Sequence, residues 1–505
     1  MAAFGLLVGG LCAADGWAAT PIAGNLSGTL TLSGSPYEAT GSVTVPAGQT
    51  LAIEPGVLIM MSPNTTFTVD GALLAPGASA APIIFSSLQE GTTQAAPGQW
   101  GALQFNNSTS ATQLSYTIIR FGQQVQLSNA SPQLNQVTIS SMSIVAVASD
   151  LNSFPSGAGN STAGCPLNGI DLAAGTISQN GTWALQGIPY VIRSGSVNIG
   201  NGSGNAIVTV APGAVIKLST LQNSSSRLLV QDTLSAVGTD TAPITFTSIR
   251  DSTVGGVTDL FEGPQTPKPG DWSDLQMQSG PSSLPSRLEH VIVRYGGATA
   301  AGEIYLNGYN ASVLNSTVTL SNSAGIYGPG DGGGEVLTND YIAQNAGWGI
   351  DVDGLVVTIS SNTFESNGGG LILESNAGSP LVSSNSFSNT AGIGMSVNMS
   401  SGSPLLVGNT FHHTGSDSID VYPNNFPQDG GGNAIDATNN IAGIDLRAGT
   451  WSQSGAWNFT SMPYVIRSGS VNIGNGSGNA IVTVAPGAVI KLSTLQNSSS
   501  RLLVQ

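Results

Sequence analysis

The chain contains an exact internal repeat, and this feature constrains its architecture more than any other. Residues 189–231 and 463–505 have the same sequence. Residues 169–188 also align with 443–462 at the same offset, so the repeat unit spans about 274 residues. A degenerate copy at the start of the chain keeps the order of the matching blocks while the gaps between them vary. This behaviour is typical of a stacked structure, in which loops lengthen without disturbing the stack.

The repeat divides the chain into four predicted parts. Residues 1–18 are a predicted signal peptide, 19–168 a degenerate first module, 169–442 a second module, and 443–505 the start of a third module. The second identical segment ends at Gln505 whereas the first continues, so we expect further modules of the same chain beyond this residue. A duplication in the gene and an error of sequence assembly both explain an exact match of this length.

The first residues predict bacterial-type export to a secreted or cell-surface location. Phe4–Ala14 is apolar, and Gly16 and Ala18 are the small residues expected before a cleavage site. A buried apolar strand is the alternative interpretation of this stretch. After cleavage, Cys165 is the single remaining cysteine, so the fold does not depend on a disulfide framework. No later stretch has the roughly 18 consecutive apolar residues of a membrane-spanning helix.

The composition favours short strands and excludes a nucleic-acid partner. Charged residues make up 8% of the chain, and glycine, asparagine and serine interrupt it every few residues. Long runs of helix-forming residues are missing, so an all-β fold with many short strands is predicted. The net charge of −16 is opposite in sign to the basic surface that nucleic-acid binding needs.

A second, shorter period lies inside the long repeat. Four asparagines recur at a spacing of about 23 residues, which fits the coil of a parallel β-helix in which like residues stack on like. A β-sandwich or a propeller is the alternative, but blade repeats are longer, roughly 40–50 residues. We expect an asparagine column at a tight bend, where this residue tolerates left-handed backbone, and an inward aromatic ladder. The column is Asn339, Asn362, Asn385 and Asn409, and the ladder is Tyr341, Phe364, Phe387 and Phe411.

These motifs resemble a known family. The coils from about 310 to 425 resemble the parallel β-helix repeat shared by pectate-lyase-like proteins. Val69–Gly77, Pro82–Ser87 and Trp100–Phe105 resemble a segment common in exported bacterial β-helix proteins. The resemblance implies a right-handed parallel β-helix, an all-β solenoid. It does not imply one activity, because lyases, hydrolases, epimerases and adhesins share this fold.

The strongest candidate for chemistry is a pair of carboxylates. The Asp-Asp, Gly-His-Gly and Arg-x-Lys motifs of polygalacturonase-like sites do not occur in the sequence. In the coil alignment Asp353 and Glu374 occupy the same column on adjacent coils, so they are expected about 5 Å apart. That spacing suits a retaining-glycosidase pair or a Ca²⁺ ion, and two solvated surface carboxylates are the alternative. Asp351 and Asp420 share another column but lie three coils apart, too far to act as a pair.

A pair of histidines is the candidate metal site. His412 and His413 are two of the three histidines in the chain and follow the aromatic Phe411. As neighbours they either point to opposite sides of a strand or occupy a bend, and a metal site needs both of them and a carboxylate to converge. A solvated turn is the alternative interpretation.

Repetition without a catalytic motif predicts an exported, adhesin-like β-helix stalk that attaches to a surface or binds carbohydrate. Each extra copy of a stalk module adds reach and avidity, whereas a catalytic module needs one site. Glycans or a cell surface are the predicted partners, and no cofactor other than Ca²⁺ is predicted. The alternative is a polysaccharide lyase or glycoside hydrolase that uses the groove of the β-helix.

Overall fold

The chain winds into a parallel β-helix of about 18 coils with roughly 24 residues in each. The computed structural model describes residues 19–204, 206–219, 226–260, 266–278, 284–307, 311–329, 333–354, 356–375, 378–476, 480–493 and 500–505. The predicted signal peptide, residues 1–18, lies outside these residues. Neighbouring coils pair in parallel on all three sides of the helix, as the pairings of Ser386–Ser388, Gly369–Glu374 and Leu381–Ser383 illustrate.

Each coil contributes up to three short strands, which we assign to a first, a second and a third face in chain order. Glycine, asparagine and serine at the bends keep the strands short. Strands of the first face are Gly28–Leu30, Thr50–Ile53, Ala72–Pro76, Gln113–Ser115, Gln133–Asn135, Ser156–Gly157, Gly181–Leu185, Ile207–Val210, Thr233–Val237, Arg287–Glu289, Ser312–Leu314, Gly333–Thr338, Val356–Ser360, Leu381–Ser383, Leu405–Val407, Gln428–Asp429, Gly455–Trp457 and Val482–Val484.

The second face begins with two long strands that also reach the third face. Its strands are Thr20–Asn25, Tyr37–Val45, Leu58–Met61, Ile83–Ser87, Thr117–Arg120, Thr138–Ser140, Ser161–Ala163, Tyr190–Ile192, Val215–Leu218, Ile244–Ser248, Val291–Arg294, Thr317–Thr319, Tyr341–Ala343, Thr363–Glu365, Ser386–Ser388, Thr410–His412, Ala434–Ile435, Tyr464–Ile466 and Ile490–Leu492. A short 3₁₀ helix, Leu32–Gly34, precedes Tyr37–Val45.

Strands of the third face complete each coil. Its strands are Phe67–Val69, Ala102–Asn106, Gln124–Ser128, Val147–Ser149, Ile170–Leu172, Gly175–Ile177, Ser196–Ile199, Arg227–Val230, Leu275–Met277, Gly302–Leu306, Ala324–Pro329, Trp348–Asp353, Gly369–Glu374, Met395–Asn398, Asp417–Val421, Ile441–Leu446, Gly449–Trp451, Ser470–Ile473 and Arg501–Val504. Within the described ranges no helix is long and apolar enough to cross a membrane.

The faces change partners near the start of each predicted repeat. Ile170–Leu172 follows the third-face strand Val147–Ser149 on one side but pairs with the second-face strand Tyr190–Ile192 on the other. Ile441–Leu446 makes the same change, because it pairs with Asp417–Val421 and with Tyr464–Ile466. A ladder that runs along the third face in one repeat therefore continues along the second face in the next repeat, and the β-helix itself is not interrupted.

Apolar and polar residues alternate along the short strands, so the apolar side chains point inward and fill the core. In Ser386–Ser388 the two serines lie outside and Phe387 is buried. Rings of Phe364, Phe387 and Phe411 stack with centroids 4.5 and 4.7 Å apart and planes within 7° and 4° of parallel. Coil spacing sets this distance, because adjacent parallel strands lie about 4.8 Å apart.

The expectation for Tyr341 is wrong. Its partner in register is Thr363, and Ile342 occupies the column of Phe364. Tyr341 is therefore on the outside, 41% exposed, where its hydroxyl donates to Glu365 at 2.8 Å. A displacement of one residue exchanges the inner and outer sides of a strand, because side chains alternate with a period of two.

Asparagine side chains form a buried column at the bend between the first and second faces. The side-chain amide of Asn362 donates to Oδ1 of Asn385 at 3.1 Å, and that of Asn385 donates to Oδ1 of Asn409 at 2.9 Å. Asn409 continues the column to Asn433 at 3.0 Å. Each amide also donates to a main-chain carbonyl of the preceding coil, so the column satisfies polar backbone that the bend would otherwise bury unpaired.

Asn339 is not part of this column. Asp340 occupies the column position, and its Oδ1 accepts the N–H of Ser316 at 2.8 Å. Asn339 is exposed, has left-handed backbone with a φ of 59°, and donates to Asn315 at 2.8 Å. The left-handed position expected for the asparagine column thus lies one residue earlier, at Asn339, Ser361 and Ser384.

Candidate functional site

Two groups of polar side chains lie on the outer side of the third face, in coils where several of its strands have five or six residues. Tyr305 pairs in register with Tyr327, and Tyr327 with Asp351. The same column runs on through Ile372, Ser396, Asp420 and Asp445 on consecutive coils. One line of outward positions, parallel to the axis of the helix, therefore connects two aromatic rings with several carboxylates.

The first group, which we call the tyrosine–acid patch, consists of Tyr305, Tyr327, Asp351, Asp353 and Glu374. The rings of Tyr305 and Tyr327 meet edge to face with centroids 5.2 Å apart. All five residues are half-buried, so each presents part of its side chain to solvent. The patch combines apolar ring surface with hydrogen-bond acceptors.

The carboxylates of the patch lie on neighbouring strands, with Asp353 directly opposite Glu374 in register. This is the arrangement expected from the coil alignment. Asp351, two residues before Asp353 on the same side of the strand, joins the pair. Desolvation, followed by the charges of Glu374 and Asp353, raises the pKa of Asp351 to about 6. Three carboxyls thus share one small area, and one of them holds a proton into the weakly acidic range.

The second group, which we call the junction cluster, consists of Asp417, Asp420, Asp445, Arg447 and Arg467. The three aspartates are buried, and each offers a carboxylate oxygen within 4.8 Å of the others. Arg447 donates to both oxygens of Asp420, at 2.7 and 2.9 Å. Nη2 of Arg467 bridges Asp417 at 2.8 Å and Asp445 at 2.7 Å.

Burial and the neighbouring arginines have opposite effects on the pKa values of the aspartates in the junction cluster. Desolvation raises the pKa of Asp417 and of Asp420, although Arg467 and Arg447 lower it. Hydrogen bonds to the aspartates raise the pKa of both arginines, so these remain charged. Oδ1 of Asp417 and Oδ1 of Asp445 accept no hydrogen bond within the described residues. The two arginines nevertheless already neutralise part of the negative charge, and three carboxylates offer fewer oxygens than the roughly 6–8 ligands of Ca²⁺. The cluster is therefore better suited to joining three coils by ion pairs than to holding a metal.

The first copy of the repeat contains a reduced form of this cluster. Asp171 and Arg193 are equivalent to Asp445 and Arg467, and Nε of Arg193 donates to Asp171 at 2.9 Å. The residue paired with Asp171 is Ala148, whereas the residue paired with Asp445 is Asp420. The second junction therefore has extra charges that the first lacks.

The predicted histidine pair lies elsewhere, at the end of Thr410–His412 on the second face. Nδ1 of His412 lies 2.6 Å from Oδ2 of Asp436, which is on the next coil. His413 occupies a bend with a φ of 49°, and its ring is edge-on to that of His412 at a centroid distance of 4.0 Å. Two histidines and a carboxylate do come together. In the described part of the chain, however, the aspartates of the junction cluster are the group with three ligand atoms within 4.8 Å of one another.

Several of these residues were missed in the sequence. The alignment singled out Asp420 but compared it only with Asp351, and it attached no role to Tyr305 or Tyr327. A comparison of the repeats would have pointed to Asp445 and Arg467, because they recur at the positions of Asp171 and Arg193.

Comparison with known proteins identifies the fold and no closer relative. Residues 302–461 match the family model described as a right handed beta helix region, and this segment contains both groups of the third face except Arg467. The protein is a right-handed parallel β-helix. No curated protein and no solved structure gives a significant match to this β-helix chain.

Proposed function

We propose that this β-helix is an exported surface protein that binds glycans through the tyrosine–acid patch and does not cleave the glycan backbone. The observation that carries the proposal is the juxtaposition of Tyr305 and Tyr327 with three carboxylates on consecutive coils of one face. A flat apolar ring beside fixed hydrogen-bond acceptors is the combination that a sugar ring requires, since its faces are apolar and its edge carries hydroxyls.

The geometry suits an extended chain more than a single sugar. The patch runs along the axis of the helix, with one outward position every ~4.8 Å. Contacts repeated at this interval allow successive sugars of one polymer to bind one after another along the face.

Charge indicates a neutral or cationic glycan. The chain carries 28 acidic and 12 basic residues, and the patch itself is acidic. A polyanionic glycan would be repelled without a bridging cation. Binding to pectin or alginate is therefore expected to be undetectable, and cleavage of them as well.

Affinity electrophoresis in gels that contain neutral or acidic polysaccharides tests the proposal. We expect a neutral glycan to retard the protein, and Tyr305→Ala with Tyr327→Ala to weaken the binding roughly 10-fold, about 1.4 kcal/mol. Tyr341→Ala is the matched control, because it removes an exposed tyrosine from the second face. Binding that is unchanged by the double substitution would refute the assignment of this face.

A second candidate function, glycoside hydrolysis, is favoured by the raised pKa of Asp351. An acid with a pKa of about 6 beside Asp353 and Glu374 is a suitable proton donor to a glycosidic oxygen. Hydrolysis would require Asp351 protonated, so its rate would fall as the pH rises above about 6. Release of reducing ends that Asp351→Asn and Glu374→Gln abolish in a folded protein would establish this alternative in place of binding alone.

A further inference from the structure

The outer side of the second face carries a line of side chains that the proposed glycan site does not use. Glu365 pairs in register with Ser388, and Ser388 with His412. Phe411 pairs with Ile435, so the next position after His412 in this line is Asp436. Three consecutive coils therefore present a serine, a histidine and an aspartate in that order.

We propose that Ser388, His412 and Asp436 form a nucleophilic triad that hydrolyses accessible carboxylic esters. Activation of a serine hydroxyl needs a neighbouring base and a third group that orients the base. These roles are defined by geometry and not by the order of residues in a sequence or by the fold. The inference is independent of glycan binding on the third face.

The contact between His412 and Asp436 is the part already formed. Oδ2 of Asp436 lies 2.6 Å from Nδ1 of His412, so the carboxylate selects the tautomer with hydrogen on Nδ1. Asp436 is itself held in place, because its Oδ1 accepts the N–H of Thr438 at 2.9 Å. Hydrogen bonds from Thr438 and then from His412 lower the pKa of Asp436, so the orienting group is ionised. The second ring nitrogen of His412, Nε2, is then an acceptor and free to act as the base.

Ser388 lies on the coil on the other side of His412. Adjacent strands are about 4.8 Å apart, which brings the serine hydroxyl within reach of the imidazole after a rotation about χ1. The hydroxyl now donates to the carbonyl of Phe364 at 3.3 Å, a long bond that such a rotation breaks at small cost. Catalytic hydrogen bonds of this kind are often loose before substrate binds.

The triad is open to a substrate. His412 is 47% exposed and Asp436 40% exposed, and Ser388 is half-buried on the same surface. Asn389 and His413, the residues that follow Ser388 and His412, are both exposed and have left-handed backbone. Their side-chain N–H groups are the nearest donors in the sequence for a developing oxyanion.

The reaction follows from these positions. Oγ of Ser388 attacks the ester carbonyl carbon while its proton passes to Nε2 of His412. The tetrahedral intermediate collapses to an acyl-serine, and the leaving alcohol takes the proton from His412. Water then adds to the acyl-serine with His412 as the base again, which releases the carboxylic acid and restores Ser388.

Labelling of the full chain with a fluorophosphonate probe, followed by peptide mass spectrometry, tests the nucleophile. We expect the adduct on Ser388, and we expect His412→Ala to slow its formation roughly 100-fold or more. Hydrolysis of p-nitrophenyl acetate should fall with Ser388→Ala, His412→Ala and Asp436→Asn. Ser386→Ala is the matched control, because Ser386 lies on the same side of the same strand but pairs with Thr410.

The outcomes separate the triad from its alternatives. If circular dichroism shows that the protein is folded and no adduct forms on Ser388, the proposal is overturned. So would ester hydrolysis that persists in Ser388→Ala but is abolished by a chelator, since this result would assign His412, His413 and Asp436 to a metal. Equal loss of rate in Ser386→Ala would show a nonspecific effect of the strand and would also overturn it.

Discussion

At the scale of single residues, the described structure places several carboxyls in the interior of the coil without a cation beside them. Asp340 is the clearest example, because it takes a position in the asparagine column and is 2% exposed. Its Oδ1 accepts the N–H of Ser316, whereas Oδ2 has no partner among the described residues. Desolvation raises the pKa of Asp340 well above its usual range, so the group is neutral in the folded chain at weakly acidic pH.

Replacement of this carboxyl by an amide should stabilise the protein at neutral pH. A raised folded-state pKa means that the stability due to neutral Asp340 is present below about pH 4, the unfolded pKa, and is lost as the pH rises toward the folded value. Asp340→Asn removes this loss and restores the column, which we expect to raise the free energy of unfolding by about 1–3 kcal/mol at pH 7.

Urea unfolding at pH 4 and pH 7 measures this effect, with Glu38→Gln as a control for the loss of one half-buried carboxylate outside the column. The gain from Asp340→Asn should be small at pH 4 and large at pH 7. A gain of the same size at both pH values would contradict the titration argument.

At the scale of strands, stacking between coils decides which residues stabilise the fold. Phe364, Phe387 and Phe411 are stacked in the core, while Tyr341 from the preceding coil lies on the surface. Phe387, the middle ring, is in contact with rings on both sides, so its removal leaves a cavity that the neighbouring coils can only partly fill.

Phe387→Ala should therefore destabilise the protein by about 3–5 kcal/mol. Tyr341→Ala should cost less than about 1 kcal/mol, because exposed side chains contribute little. The two substitutions remove rings of similar size from neighbouring parts of the same face, and thermal or urea unfolding compares them directly. Similar losses for the two variants would mean that Tyr341 packs in the core.

At the scale of the whole molecule, identical sequences have different surroundings. Leu218 and Leu492 occupy the same position in the exact repeat, yet Leu218 is fully buried and Leu492 is 54% exposed. The strand of Leu218 is covered by the next coil, Ile244–Ser248, through which Leu218 pairs with Ser248. No described coil covers Leu492 in this way. Packing of the neighbouring coil, and not the local sequence, sets the burial of these side chains.

This pair of residues gives a controlled measurement of coil-on-coil packing. In a protein of residues 1–505 alone, Leu218→Ala should lower the free energy of unfolding by about 2–5 kcal/mol, whereas Leu492→Ala should change it by less than about 0.5 kcal/mol. Limited proteolysis and urea unfolding of the two variants report the difference, with local sequence and substitution held constant. Equal effects would show that the two copies of the repeat are packed alike.

The kind of architecture could be predicted from the repeat pattern alone. A period of about 23 residues places like residues on successive coils, and a coil cannot bury its apolar side alone, so the pattern implies a stacked β-helix. It also determined the pairing of Asp353 with Glu374 and the stacking of the three phenylalanines, because these lie in coils of nearly equal length.

The exact register, and the clusters that depend on it, became evident from the three-dimensional packing and could not be predicted from the repeat pattern. A register displaced by one residue puts Ile342 and Asp340 inside where the spacing favoured Tyr341 and Asn339, because side chains alternate at every residue. The junction cluster and the line of Ser388, His412 and Asp436 each join residues from three consecutive coils. Their convergence depends on the length of every bend between them, and bends vary freely in a solenoid because they project away from the stack.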